Sequence, residues 1–120
     1  MATVLVVEDE ETIREIIQIT LESQGHKVLT AGRAYEAIDI SAAHNDLSLD
    51  LLLTDAILPG ITGWELAQII SRTESQIKVL LMSGGSQEQI VGSKGWPFIQ
   101  KPFDLSDLVR RVDSMLGSSV

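Results

Sequence analysis

Leu51-Leu52-Leu53-Thr54-Asp55-Ala56-Ile57-Leu58-Pro59-Gly60 decides how this chain is read. An apolar run ends in a carboxylate, and a Pro-Gly turn follows almost at once. A carboxylate at the mouth of a buried strand is costly unless something there uses or neutralises its charge. The arrangement recurs elsewhere. Glu8-Asp9 closes Val4-Leu5-Val6-Val7, Ser83 follows Val79-Leu80-Leu81-Met82, and Lys101 follows Phe98-Ile99-Gln100. Short apolar runs bounded by turn signals read as strands buried on both faces. Each of these runs therefore delivers a polar group at the same end.

Between the strands, apolar residues take helical spacing. Ile13, Ile16, Ile17, Thr20 and Leu21 predict a helix over Glu11 to Ser23, stopped near Gly25. Ala34, Ala37, Ile38 and Ala42 predict a second, ending around His44-Asn45, and Leu66, Ile69 and Ile70 a third after Gly63. Ser86 to Val91 allows only a short fourth helix before Gly92 and Gly95. Leu105, Leu108, Val109, Val112 and Leu116 form the stripe of a last helix, with Asp104 as its N-cap. Strands are expected at Thr3 to Val7, Lys27 to Ala31, Leu49 to Thr54, Gln76 to Met82 and Phe98 to Gln100. Regular alternation of strand and helix implies a parallel sheet with helices on both faces and right-handed crossovers. In such sheets ligands sit beyond the carboxyl ends of the strands, beside the switch point in strand order.

The 120 residues suffice for one domain with a core of its own, and 44% hydrophobic with 22% charged residues is a globular balance. Absence of cysteine excludes disulfides, thiolate nucleophiles and zinc–thiolate sites. Net charge is −8 and the nine Lys and Arg residues are scattered. Arg110-Arg111 is the nearest approach to a basic patch, too little for a nucleic-acid footprint. The first residues run straight into the apolar Val4–Val7 segment without a basic region, and no stretch approaches the length of a membrane span. The expectation is an acidic cytoplasmic domain with no nucleic-acid or membrane partner.

If the strand ends converge, Glu8, Asp9 and Asp55 crowd into one pocket. Two like charges about 4 Å apart repel by roughly 4 kcal/mol at an effective dielectric near 20. Such a group needs a cation, or one carboxylate must protonate. Hard oxygen donors favour Mg2+ or Mn2+, and Mg2+ favours phosphate as a co-ligand. Lys101 adds a fixed positive charge, and the Ser83 hydroxyl can donate to a phosphoryl oxygen. Asp55, alone on the central strand, is the best candidate for a carboxylate nucleophile in phosphoryl transfer.

Over essentially its whole length the sequence resembles the receiver domain of two-component response regulators. The matching segments are Val4-Leu5-Val6-Val7-Glu8-Asp9-Glu10, Leu53-Thr54-Asp55-Ala56-Ile57-Leu58-Pro59-Gly60, Leu81-Met82-Ser83-Gly84 and Lys101-Pro102-Phe103. The resemblance implies one receiver domain over residues 1–120 with an α/β, flavodoxin-like fold. Its doubly wound five-stranded parallel sheet would run in the order 2-1-3-4-5, with five helices, the fourth short. It implies that Asp55 accepts a phosphoryl group from the phosphohistidine of a histidine kinase or phosphotransfer protein. Asp9, Asp55 and the backbone carbonyl of Ile57 would ligate Mg2+ directly, and Glu8 through water. Ser83 and Lys101 would contact the phosphoryl group, Lys101-Pro102 would be a cis peptide, and Ser83 with Phe98 would form a switch acting on a downstream protein. The domain would be a phosphoacceptor rather than an enzyme.

Two departures from the family pattern matter. The stretch from Ser83 to Lys101 is about one helical turn shorter than is usual, which shortens the fourth helix. Ile57 and Gly85 stand where a polar side chain would orient a hydrolytic water, so slow loss of the phosphoryl group is expected. An aspartyl-phosphate phosphatase would need a second Asp at position 57, and a flavin module would need a phosphate-cradling loop where the acids Glu8-Asp9-Glu10 stand. A receiver fold used only as a constitutive interaction domain would have no need of the acidic pocket. Trp64 and Trp96 are expected to pack or to lie at a partner surface rather than do chemistry, and His26 and His44 to be exposed. No output segment follows the last helix before Val120, which suits either a single-domain regulator or a receiver belonging to a longer protein.

Overall fold

The computed structural model describes residues 2–43, 48–84 and 95–117. In chain order the elements are β1 (Thr3–Val7), α1 (Glu11–Ser23), β2 (Lys27–Ala31), α2 (Ala34–Ala43) and β3 (Leu51–Asp55). A hairpin of β4 (Ile57–Leu58) and β5 (Ile61–Thr62) follows, then α3 (Gly63–Ser71), β6 (Lys78–Ser83), β7 (Phe98–Gln100) and α4 (Leu105–Leu116). The main sheet is parallel throughout, in the order β2-β1-β3-β6-β7. With the hairpin set aside, this is the expected order 2-1-3-4-5.

Period-two alternation sends each strand's side chains to opposite faces. Leu5, Val7, Leu52, Val79 and Leu81 meet Ala37, Leu66, Ala67 and Ile70 from α2 and α3. Val4, Val6, Leu51, Leu53, Leu80 and Met82 meet Ile17, Leu21, Leu108 and Val112 from α1 and α4. Because β3 is covered on both faces, all five of its residues are buried, which is why its sequence is a continuous apolar run rather than an alternating one. Burying one such leucine contributes roughly 1.5–3 kcal/mol. Trp64 and Trp96 pack against the first of these clusters.

Local chemistry sets the element ends. Thr62 caps α3 in a capping box, its hydroxyl accepting from Glu65 N at 3.2 Å while Glu65 Oε1 accepts from Thr62 N at 3.0 Å. Gly117, at φ 69, closes α4 in the left-handed conformation that glycine adopts without steric cost. Asp104 occupies the N-cap position of α4, but its main-chain oxygen rather than its side chain accepts from Asp107 and Leu108.

Several boundaries differ from expectation. The third strand starts at Leu51 and includes Asp55; the next sheet strand starts at Lys78, whose N–H donates to Asp50 O, and runs through Ser83. The β4–β5 hairpin was not foreseen: Pro59 and Gly60, the latter at φ 84, turn the chain back on itself. The short fourth helix expected at Ser86 to Val91, and His44, lie outside the described residues. His26 is not exposed: its side chain is 8% accessible, and its Nδ1 accepts from Ala2 N at 3.3 Å. Asp113 of α4 faces it, with Oδ1 3.9 Å from His26 Nε2. Among the described residues, no helix is long and apolar enough to cross a membrane.

Candidate functional site

Register brings the polar strand ends to one edge of the sheet. Val7 pairs with Thr54, so Glu8 and Asp9 emerge beside Asp55, the last residue of β3. Asp55 pairs with Met82, and Ser83 with Gln100, so Ser83 at the end of β6 and Lys101 just beyond β7 come next along the same edge. The Ser83 main-chain oxygen accepts from Lys101 N at 2.8 Å, tying those two ends together.

Lys101 is the centre of the cluster. Its Nζ lies 2.5 Å from Asp55 Oδ1 and 2.7 Å from Glu8 Oε1. Glu8 is 1% exposed, Asp55 6% and Ser83 2%, whereas Asp9 is exposed. One carboxylate oxygen from each of Glu8, Asp9 and Asp55 lies within 4.8 Å of the others. A single ammonium does not neutralise three carboxylates, and protonation responds to the excess. Burial, and next the neighbouring Glu8, push the Asp55 carboxyl up to about 7. Burial also opposes ionisation of Glu8, but hydrogen bonds from Asp55, Lys101 and Glu10 N outweigh it and hold Glu8 below its ordinary value. For Lys101 burial disfavours the charge, yet Asp55 and Glu8 outweigh it and raise its pKa. Hard oxygen donors at this spacing, short of positive charge, fit a divalent cation of the Mg2+ type.

The remaining residues singled out in the sequence surround this centre. Ile57 lies in β4 and is 48% exposed. The Lys101–Pro102 peptide bond is cis. Phe98 pairs with Leu81, is partly buried, and packs on the face covered by α2 and α3. Ser83 stands two residues beyond Leu81, so strand alternation puts it on that same face.

Two residues to which the sequence reading gave no part in the site support it. Gly63 begins α3 against the backbone of Asp55: a Cβ there would stand 2.1 Å from Asp55 O, and Gly63 N donates to Ala56 O at 2.7 Å. Only glycine permits that approach. Arg14, half-buried on α1, donates from a guanidinium nitrogen to Glu8 O at 2.8 Å. Its place on the partly polar N-terminal turn of an otherwise ordinary amphipathic helix carried no signal.

Known proteins share this fold. Residues 4–113 match the response regulator receiver domain family. The phosphate regulon transcriptional regulatory protein PhoB of Pseudomonas aeruginosa is 35% identical over 120 residues, covering 95% of this chain and 51% of that protein. The transcriptional regulatory protein YkoG of Bacillus subtilis is 32% identical over 117 residues, covering 94% and 50%. The chain thus spans about half the length of the curated relatives it matches. Among solved structures, the receiver domain of the hybrid histidine kinase CckA superposes with a TM-score of 0.82 at 31% identity, covering 96% of this chain and 99% of that one. The response regulator protein TrrA of Thermotoga maritima, solved in complex with Mg2+-BeF, gives 0.81 at 29% identity with the same coverage. From β1 into α4, sequence, sheet order and shape agree: the chain belongs to the receiver domain family of two-component response regulators.

Proposed function

We propose that Asp55 is the phosphoacceptor, taking its phosphoryl group from the phosphohistidine of a histidine kinase or phosphotransfer protein in the cytoplasm. The observation that carries this reading is Lys101 Nζ bridging Asp55 Oδ1 at 2.5 Å and Glu8 Oε1 at 2.7 Å at the mouth of the central strand. An Asp55 oxygen forms a bond to phosphorus while the phosphorus–nitrogen bond breaks, and the electron pair leaves with the imidazole nitrogen, which then takes up a proton. The nucleophile must be ionised, and Asp55, pushed up to about 7, is held partly protonated by burial and Glu8.

Glu8, Asp9, Asp55 and the Ile57 carbonyl would hold Mg2+ or Mn2+, which supplies charge neutralisation to the carboxylates and the transferring group. Lys101 offers a fixed cation to the phosphoryl oxygens, and its own bonds to Glu8 and Asp55 keep it aimed there. The Ser83 hydroxyl donates to a phosphoryl oxygen. Drawing it inward leaves room for Phe98, which shares its face of the sheet, and so a local charge change biases a partner-binding surface. The domain signals; it does not turn over a substrate as a conventional enzyme does.

Incubation with Mg2+ and acetyl phosphate followed by intact mass spectrometry tests the assignment. A phosphoryl adduct is expected on the wild-type protein and not on Asp55→Asn. An undiminished adduct on Asp55→Asn would place the chemistry elsewhere.

A further inference from the structure

Every polar atom of Glu8 has a partner. Its N–H donates to Ala31 O at 3.1 Å, continuing the ladder to β2, and its Oε1 accepts from Lys101 Nζ at 2.7 Å. Its Oε2 accepts from Glu10 N at 3.1 Å, and its main-chain oxygen accepts from Arg14 at 2.8 Å. That last oxygen belongs to the peptide unit joining Glu8 to Asp9. Since a peptide unit is planar, fixing its carbonyl fixes where the Asp9 N–H and Cα are directed. Asp9 is itself exposed, and its neighbour is what gives it a direction.

The geometry points to Arg14 as a positioning residue for the metal centre: its guanidinium sets the Glu8–Asp9 peptide plane and so aims the Asp9 carboxylate at the cation. This rests on the reading of Glu8, Asp9 and Asp55 as the metal site. Gly32 completes the device. A Cβ on Gly32 would come within 3.0 Å of the same guanidinium nitrogen, so the end of β2 is left bare where Arg14 passes. Arg14 and Asp9 line one cleft together with Gly32.

The sign of the effect separates positioning from charge. Arg14 is a cation beside a cation site, and if its charge were all that mattered, removing it would tighten Mg2+ binding. If it positions Asp9, removing it weakens binding. Mg2+ titrations of the metal-free protein, followed by site amide shifts in NMR spectra, read this without phosphorylation.

Arg14→Met is expected to raise the Mg2+ dissociation constant about tenfold, the low end of what groups supporting metal ligands contribute. Arg14→Lys, which keeps the charge and one donor, should fall between Met and wild type. Gly32→Ala keeps the arginine but displaces its flexible end, so it should weaken Mg2+ binding with little change in melting temperature. Should Arg14→Met fail to fold, the Lys and Gly32→Ala variants decide. Unchanged or tighter binding in the variants that fold would overturn the role of Arg14. Absence of Mg2+ binding by the wild-type protein would instead overturn the metal site, and this inference with it.

Discussion

Replacing Lys101 with methionine removes the cation that, among the described residues, bridges Glu8 and Asp55, and leaves a side chain of similar length. The two carboxylates it served are 1% and 9% exposed as side chains. Ionised carboxylate oxygens no more than 4.8 Å apart repel by at least about 3.5 kcal/mol at an effective dielectric of 20. Removing one partner of a buried ion pair typically costs about 3–5 kcal/mol. Because the Lys101 side chain is 24% exposed, the lower part of that range applies, about 3 kcal/mol at alkaline pH without metal.

The pH dependence follows from the raised pKa of Asp55. A carboxyl whose folded pKa of about 7 exceeds its ordinary 3.8 binds its proton more tightly when folded, so its contribution to stability declines as pH rises between those values. Glu8, held below 4.5, acts in the opposite direction and at more acid pH, and Lys101, raised above 10.5, matters only in strong alkali. In Lys101→Met, among the described residues and without metal, a proton on Asp55 is what remains to relieve the repulsion between Glu8 and Asp55. The loss of stability should therefore be smaller near pH 5.5, where Asp55 is protonated, than near pH 8. Mg2+ should restore part of the loss near pH 8 by binding only the folded state. Urea unfolding at both pH values, in chelator and in Mg2+, measures all of this. Equal losses at the two pH values, or a Mg2+ response no larger than in wild type, would refute the electrostatic account.

Gly63→Ala places a Cβ 2.1 Å from Asp55 O; a destabilisation of about 1–3 kcal/mol in urea melts, with reduced phosphoryl uptake, is expected, and an unaltered melt would deny the close approach. Mg2+ must displace the proton from Asp55, so its apparent affinity should fall by up to about tenfold per pH unit below about 7 and level off above; calorimetric titrations giving a flat profile would contradict the raised pKa. Ile57, 48% exposed two residues beyond Asp55, offers no group to orient water. The phosphoryl group should persist for minutes or longer, and Ile57→Asn should shorten its lifetime severalfold; mass spectrometry over time checks both, and loss within seconds from the wild-type protein would exclude the first.

Much of this molecule is written in neighbouring residues. Five apolar segments, each with a polar residue at its carboxyl end or a helix to follow, are local patterns, because side-chain periods of two and 3.6 are properties of the backbone itself. Asp55 stood out because a charge after Leu51-Leu52-Leu53 has an immediate desolvation cost. Element edges were less legible. Asp55 belongs to its strand because Met82 of β6 pairs with it, and Ser83 to its own because Gln100 of β7 does; the hairpin at Ile57–Thr62 exists because Pro59-Gly60 turns a segment too short to betray itself by periodicity.

The sequence by itself determined which elements form and which polar groups stand at their ends. Tertiary structure alone decided that β3 lies between β1 and β6, so that Lys101 bonds a glutamate 93 positions away. It alone brought Gly63 against Asp55 O and the guanidinium of Arg14 across Glu8 O to the bare end of β2. It also decided that Asp55 is pushed up in pKa while Glu8 is held down. The physical reason is range: periodicity and desolvation act on adjacent residues. Ion pairing, close backbone approach and shared protonation depend on distances that exist only once the sheet has assembled.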